Sequence, residues 1–395
     1  MPLPLLRHLL DPRYLVRTAR RSGERIARRL KRLDEATVRL EPEGASRGLA
    51  AFSYIVDPLL TGAPDHSHTH FWESRQIART LCERGFTVDA LQWTNGDFAP
   101  DPGTDLLVDV RFNLERWAAA LPDAHKVIHL DTCHHAFNNA AQARRRERLV
   151  QRRGALLPEV KTMPKTKGIE VCDEATYLGN EMTRESYAFA DKPMTRIPVS
   201  VPATYEWLER DWEAVRRRFL WFGSGGLLHK GLDLVLEVFA QTPHLELLVC
   251  GPVDREREFE RLYERELYHL PNVTTLGWVD VLAPSFLERM RGIGGLVYPS
   301  CAEGGGASVL TCMHAGVVPV LTREASVDLE PERGWLLPDD SLETLREHVE
   351  RFAESPPDEL EAQSRSAWEW SRAHHTRDVF AERYDAWAEG LLGRL

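Results

Sequence analysis

The stretch "FLWFGSGGLLHKGLDLVLEVF", residues 219–239, decides the fold. Its first four residues are apolar and aromatic, as in a short buried strand. Gly223, Gly225 and Gly226 break that run, Lys230 follows, and a helix-forming apolar segment begins at Leu232. Strand, glycine turn and helix form the repeating unit of a doubly wound parallel sheet, whose ligands bind at the carboxyl ends of the strands. Glycines there let the backbone approach an anion, and Lys230 adds a point charge at the next helix start. The pattern departs from two familiar phosphate loops. A dinucleotide fingerprint needs glycine at position 228, which is Leu228, and a Walker loop needs GK followed by Ser or Thr. A tight turn that binds nothing stays open as the alternative.

The same rhythm continues outward. "LELLVCGP" (245–252), "VTTLGWV" (273–279), "GGLVYPS" (294–300), "VVPVLT" (317–322) and "GWLLP" (334–338) are further short apolar runs, most of them separated by helical stretches such as "REFERLYEREL" and "ASVLTCMHAG". The first half repeats the theme with "GLAAFSYIVDPLL", "TVDALQW", "TDLLVDVRF", "HKVIHLDT" and "CDEATYLGN" as strands, and "HFWESRQIARTLCERGF" as a helix. Alternation at these intervals means parallel strands with crossover helices. "KPMTRIPVSVP" (192–202), with three prolines, reads as a stiff crossing between halves. The expected divisions are a basic helical extension at 1–45, a first α/β domain at 46–200, a second at 201–364, and C-terminal helices at 365–395 packing back on the first domain.

Composition narrows the class. The 395 residues, 43% of them hydrophobic, suffice for two cores. Six cysteines without a CxxC pair suit a reduced, cytoplasmic protein, and no apolar run reaches 18 residues. The N-terminus has no apolar signal-peptide core, so secretion is not expected. The net charge of −10 hides a basic head: residues 1–32 hold ten Arg or Lys against Asp11 and Glu24. The acidic remainder argues against nucleic acid as a partner. Asp11 and Pro12 start a helix whose thin apolar stripe either packs on the body or lies peripherally on an anionic membrane face. "ARRRERLVQRR" (143–153) reads as a solvated helix face, with an anionic acceptor or lipid surface as the alternative.

A second anion cradle lies in "SCAEGGGASVLTCMHAG", residues 300–316. Gly304, Gly305 and Gly306 follow a strand, and a helix from Ala307 aims free N–H groups at the strand end, where a diphosphate fits. Glu303 is placed to accept hydrogen bonds from sugar hydroxyls. Two cradles at strand ends of one domain point to one shared ligand.

Residues 219–350, through these motifs, resemble the C-terminal domain of retaining glycosyltransferases of family 4. The family's G-R…K-G phosphate loop is matched by "FGSGGLLHKG", its P-S-x-x-E-G-x-G by "PSCAEGGG", and its A-x-G-x-P-V by "AGVVPV". The resemblance is strong in the second half and weak in the first. It implies a GT-B fold, meaning two Rossmann-like doubly wound domains facing across a cleft, and sugar transfer from a nucleotide-sugar donor to an acceptor hydroxyl with retention. It assigns donor binding to Gly223, Ser224, Gly225, Lys230, Glu303, Gly305, Gly306, Ala307 and Thr311. Glu303, Lys230 and His129 take the catalytic roles, with His68, His70, His134 and Asn138 on the acceptor side. No cofactor or metal is implied. Alternating His66, His68 and His70 would have to share a strand face to ligate one, and the resemblance makes them an acceptor-bordering loop.

Two positions depart from the family. Its phosphate-loop arginine is Ser224 here, and the second glutamate of its E-x7-E motif is Thr311. Losing an arginine–phosphate bond costs about 1.5–3 kcal/mol unless another cation substitutes, and Arg323 is the candidate substitute. The acceptor, whether glycan, lipid or small molecule, is not specified by these residues. The rival readings are a non-catalytic scaffold or sugar-binding protein, and an epimerase or phosphorylase on the same frame.

Overall fold

The computed structural model describes residues 33–62 and 67–394. The basic head and His66 therefore lie outside the described residues. Two α/β domains face each other across a cleft.

The N-terminal sheet contains β1 (Thr37–Leu40), β2 (Gly48–Tyr54), β3 (Phe86–Gln92), β4 (Thr104–Asp109), β5 (His125–Leu130), β6 (Glu174–Tyr177) and β7 (Met194–Arg196). Their spatial order is β1-β3-β2-β4-β5-β6-β7, parallel except for β1, which runs antiparallel to β3. The C-terminal sheet contains β8 (Arg218–Phe222), β9 (Glu246–Cys250), β10 (Val273–Gly277), β11 (Gly295–Tyr298), β12 (Val318–Thr322) and β13 (Trp335–Leu337). It is parallel throughout, in the order β10-β9-β8-β11-β12-β13. Strand order reverses between β8 and β11, so the loops after these two strands diverge and leave a crevice. Both sequence cradles sit on those two loops.

Six helices shape the cleft or join its two walls: α1 (Thr69–Glu83), α2 (His135–Arg153), α3 (Leu232–Phe239), α4 (Ala307–His314), α5 (Pro357–His374) and α6 (Arg377–Leu392). Helix α3 is buried along its whole length, as its nearly continuous apolar sequence requires. Phe219, Trp221, Val235 and Phe239 belong to its core, where burying each large side chain contributes about 1.5–3 kcal/mol.

Three boundaries differ from the sequence expectation. Residues 33–40 are not helical: a 3-10 turn leads into edge strand β1, where Arg39 binds Asp89 through two bonds of 2.7 and 2.6 Å. Four residues of strand are too short to show a period. The proline-rich crossing contains β7 before it leaves the sheet. A boundary at 364 cuts through α5, which stays with the C-terminal domain: Ser364 Oγ donates to Gly316 O and Gln363 accepts from Trp335 Nε1. Only α6 returns to the N-terminal domain, where Phe380 packs edge-on against Trp72 and Asp385 accepts two bonds from Arg84. At the turn between them, His375 Nδ1 donates to Val199 O at 3.0 Å.

The arginine-rich face of α2 is only partly solvated: Arg144 is exposed and Arg146 pairs with Glu159 of its own domain, but four arginines reach across to the other domain. Arg145 is fully buried and donates to Asp340 and to Pro299 O, Arg148 binds Asp340, Arg152 binds Asp233 and Glu237, and Arg153 binds Glu237 and Glu266. All these acceptors belong to the C-terminal domain. The arginines are an interdomain clamp.

Candidate active site

The cleft has a volume of about 250 Å³ and is bounded by both domains. On the C-terminal side, Glu303 sits just after β11. Its Oε1 accepts from Lys230 Nζ, from Tyr298 OH at 3.0 Å and from Ser300 Oγ at 3.0 Å. All three bonds fall on one oxygen, so Oε2 keeps its hydrogen-bonding capacity for a ligand. Burial would raise this carboxyl's pKa, but the charges of Lys230, His229 and Lys161, with the Lys230 bond, hold it down to about 2. Glu303 is therefore an acceptor, never a proton donor, at ordinary pH. Lys230 also donates to Tyr298 OH at 2.8 Å and lies 5.5 Å from that ring's centre.

The two glycine cradles differ from expectation in instructive ways. In the first, Gly223 and Ser224 line the cleft, but Gly225 does not. The N–H groups of Gly226 and Leu227 are already taken by the carboxylate of Glu256, at 2.5 and 3.1 Å. That half of the loop holds an internal anion. In the second, the glycines also serve close approach. A Cβ on Gly304 would lie 2.2 Å from Thr132 Cα and 2.3 Å from Asp131 O, both in the other domain. One on Gly305 would lie 2.3 Å from Val199 Cγ2. Gly306 has φ +56° at the start of α4, a conformation that favours glycine. The N–H groups of Gly305, Gly306 and Ala307 meet no acceptor among the described residues. They are the free end of an eight-residue helix facing the cleft.

Thr311 lines the cleft and donates its hydroxyl proton to Ala307 O at 2.8 Å. Its lone pairs stay available, so it can accept a hydrogen bond from a sugar hydroxyl. Arg323 does not substitute for the missing arginine. It is exposed, pairs with Glu185 at 2.7 Å and does not line the cleft.

On the N-terminal side, His70 on the first turn of α1 faces the cleft, with Nδ1 bonded to Glu73 Oε2 at 2.8 Å and Nε2 4.0 Å from Asp131 Oδ2. Burial opposes its charge, but the bond to Glu73 and the charges of Glu73 and Asp131 prevail and raise its pKa. Glu73 is fully buried and fixed by Ser200 N at 2.9 Å and Ser200 Oγ at 3.0 Å. His68 caps α1, its ring 4.9 Å from that of His70, and also lines the cleft. Asp131 Oδ2 accepts from Arg111 at 2.7 Å and from Tyr54 OH at 3.2 Å.

The structure does not bring the other N-terminal candidates to the cleft. His129 is fully buried between Tyr54 and Tyr384, bonded to Thr176 Oγ1 at 2.8 Å, and burial pushes its pKa down to about 4. The end of the strand explains this: His129 is still inside β5, where its side chain enters the buried layer, while Asp131 lies just past Leu130 and clears the sheet. His134 caps α2 and packs against Tyr187 and Phe189 beside a separate cavity of about 30 Å³. Asn138 is buried and donates to Lys161 O at 2.8 Å. Arg111, Lys161 and Tyr298 line the cleft though no motif assigned them to the site, and Asp131, from the stretch "KVIHLDTCHHAFNNAAQ" that supplied His129, lines it as well. For Arg111 the available signal is "DVRF", an arginine just past the end of β4.

Among the described residues, no group of three or more His, Cys, Asp or Glu is arranged to hold a metal ion, and no helix is long and apolar enough to cross a membrane. Residues 216–355, about a third of the chain, match the family described as "Glycosyl transferases group 1". No curated protein matches the chain by sequence. Sucrose-phosphate synthase from Thermosynechococcus elongatus superposes with a TM-score of 0.62 at 16% identity, covering 88% of this chain and all of that one (100%). Anabaena HepE, in complex with UDP and glucose, gives 0.52 at 11% identity, covering 88% and 100%. The chain spans only 54% of a mutant of S. aureus TarM, with a TM-score of 0.49 at 13% identity over 70% of this chain. The likenesses to sucrose-phosphate synthase and HepE, with the two sheets and the cleft between them, establish a GT-B fold, within which residues 216–355 are the part that matches the group 1 glycosyl transferase model.

Proposed function

We propose that the protein is a retaining glycosyltransferase that moves a sugar from a nucleotide-sugar donor to an acceptor hydroxyl. One observation carries the reading. At the crevice between β8 and β11, a carboxylate held by Lys230, Tyr298 and Ser300 stands beside the unpaired amides of Gly305, Gly306 and Ala307. That set has an acceptor for sugar hydroxyls next to donors for a diphosphate, as a sugar diphosphate requires. HepE's complex with UDP and glucose supports the same ligand class.

In this reading Glu303 Oε2 fixes the donor sugar, and Thr311 accepts from the nucleotide's sugar. As the bond from the anomeric carbon to phosphate oxygen breaks, charge grows on the diphosphate, and Lys230 with the helix amides stabilises it. The acceptor hydroxyl enters from the side of His70, which Glu73 holds in orientation. Its oxygen bonds to the same face of the sugar, and its proton passes to the departing phosphate oxygen. The cations are side chains of the protein, so no resident cofactor is called on. Closure of the two domains keeps water from the donor.

Thermal shift with UDP, GDP, ADP and dTDP and their common sugars tests this. Ligand at 100 times its Kd stabilises by about 2.7 kcal/mol. One base raising the midpoint, followed by sugar transfer with retained configuration, supports the proposal; no response to any of them overturns it.

A further inference from the structure

The charges around the cleft do not cancel. Arg111 is paired with Asp131 and Lys230 with Glu303. Lys161, on the segment after α2, lines the same cleft from the N-terminal domain. Among the described residues it forms no ion pair within 4.0 Å. Its position is built, not incidental. Asn138 Nδ2 donates to Lys161 O at 2.8 Å, and Asn139 exchanges two 2.8 Å bonds with the backbone of Met163. The lysine stem crosses the first glycine cradle: a Cβ on Gly226 would lie 2.5 Å from Lys161 Cγ and 3.0 Å from its Cε. Its neighbours are Lys230 and the loop whose far amides Glu256 has already filled.

We propose that Lys161 is a ligand of the donor diphosphate, contributed across the cleft by the N-terminal domain. It supplies the cation that Ser224 does not, and this rests on the nucleotide-sugar reading above. The diphosphate lies between Lys230 and the Gly305–Ala307 amides on one side and the Lys161 ammonium on the other. The residue is exposed over part of its surface, but desolvation by the cleft walls and then the charge of Lys230 lower the lysine's pKa against the opposing pull of Glu303 and Glu256. A dianion between the two ammonium groups relieves that repulsion. The donor thereby draws both domains onto itself, and product release requires Lys161 to let go.

The test uses the full chain and Lys161→Met, which keeps the stem over Gly226 and removes the charge, with Lys161→Arg as the rescue. Calorimetry is run with UDP, GDP, ADP and dTDP, with the matching nucleosides, and with inorganic pyrophosphate. Lys161→Met should weaken the bound nucleoside diphosphate and pyrophosphate about tenfold or more, leave nucleoside binding unchanged and flatten the salt dependence, while Lys161→Arg restores binding. The ligand-free unfolding midpoints should match wild type. Equal diphosphate affinity in Lys161→Met overturns the proposal and leaves the glycosyl-transfer reading standing. Lysine-dependent binding of pyrophosphate with no response to any nucleotide supports Lys161 as an anion ligand and overturns the donor assignment. No binding of any probe by wild type overturns both.

Discussion

Arg145 Nη2, on a helix of the N-terminal domain, donates at 2.9 Å to Asp340 Oδ2 of the C-terminal domain. The same nitrogen reaches Pro299 O, immediately before the loop that carries Glu303, at 2.8 Å. The guanidinium is fully buried, so removing one side of this contact strands a buried charge. Removing the acid leaves the Arg145 guanidinium behind, so Asp340→Ala should cost about 3–5 kcal/mol in urea unfolding. A loss below about 1 kcal/mol, the range of exposed pairs, would show that the clamp is ornamental.

Glu303→Gln keeps the shape of the side chain and removes its charge. Turnover should fall about 100-fold or more, because a charge-assisted contact to the donor sugar and the partner of Lys230 are lost together. Initial-rate kinetics with saturating donor measure this. Activity within about threefold of wild type would remove Glu303 from the mechanism.

Gly304→Ala places a carbon 2.2 Å from Thr132 Cα, where backbone faces backbone. Only the small cluster of Cys133, Ala141, Cys301 and Ala302 lies beside this contact, apart from the larger cores of the domains, so circular dichroism should stay native while the domains are wedged apart. Small-angle scattering should show a larger radius of gyration, and donor affinity should drop. An unchanged scattering profile with full affinity would contradict the contact.

Acid should weaken the fold early. His129, His229, His314 and His375 are buried, and desolvation, opposed by nearby charges or hydrogen bonds, holds each down to about 4 from the ordinary 6.5. Between these values the unfolded chain binds more protons than the folded one, so stability rises with pH there and is lost as pH falls from 6.5 toward 4. Glu303, held at about 2, adds a loss that begins only below about 4.5. His70 has the opposite sign. Its raised pKa gives stability that is complete below 6.5 and fades as pH climbs through the folded value. Denaturant midpoints from pH 8 to 4 should trace this profile, and His70→Gln should remove the loss at its alkaline end. A flat midpoint between pH 6.5 and 5 would contradict the burial of the four histidines.

The parts legible in sequence were those governed by near neighbours. The glycine breaks after "FLWF" and "GLVYPS" announced β8 and β11, and both loops do meet at the crevice. Glu303, Lys230 and Thr311 line it, since each follows a strand end at short range. What stayed hidden depends on partners far along the chain. Arg145 and Asp340 are 195 residues apart, so helical spacing around Arg145 showed only a basic face. The resemblance favoured His129, and only the point where β5 ends shows that Asp131, two residues on, is the one that clears the sheet. Lys161 carried no local pattern, since its position is set by Asn138, Asn139 and a glycine in the other domain. The carboxylate of Glu256 in the first cradle was equally invisible, because any acid can fill an anion site and no spacing marks which one does.

The bond between His375 Nδ1 and Val199 O has a mechanical consequence. The chain passes between the domains twice, once after β7 and once between α5 and α6, and this bond holds the two passages side by side. Two strands of chain running through one place act as a pivot, leaving the halves a single axis to turn about. Swinging about it moves the α2 arginines and the Asp131–Gly304 contact in concert, so a nick at either passage would cost the molecule its direction of opening before it cost either half its shape.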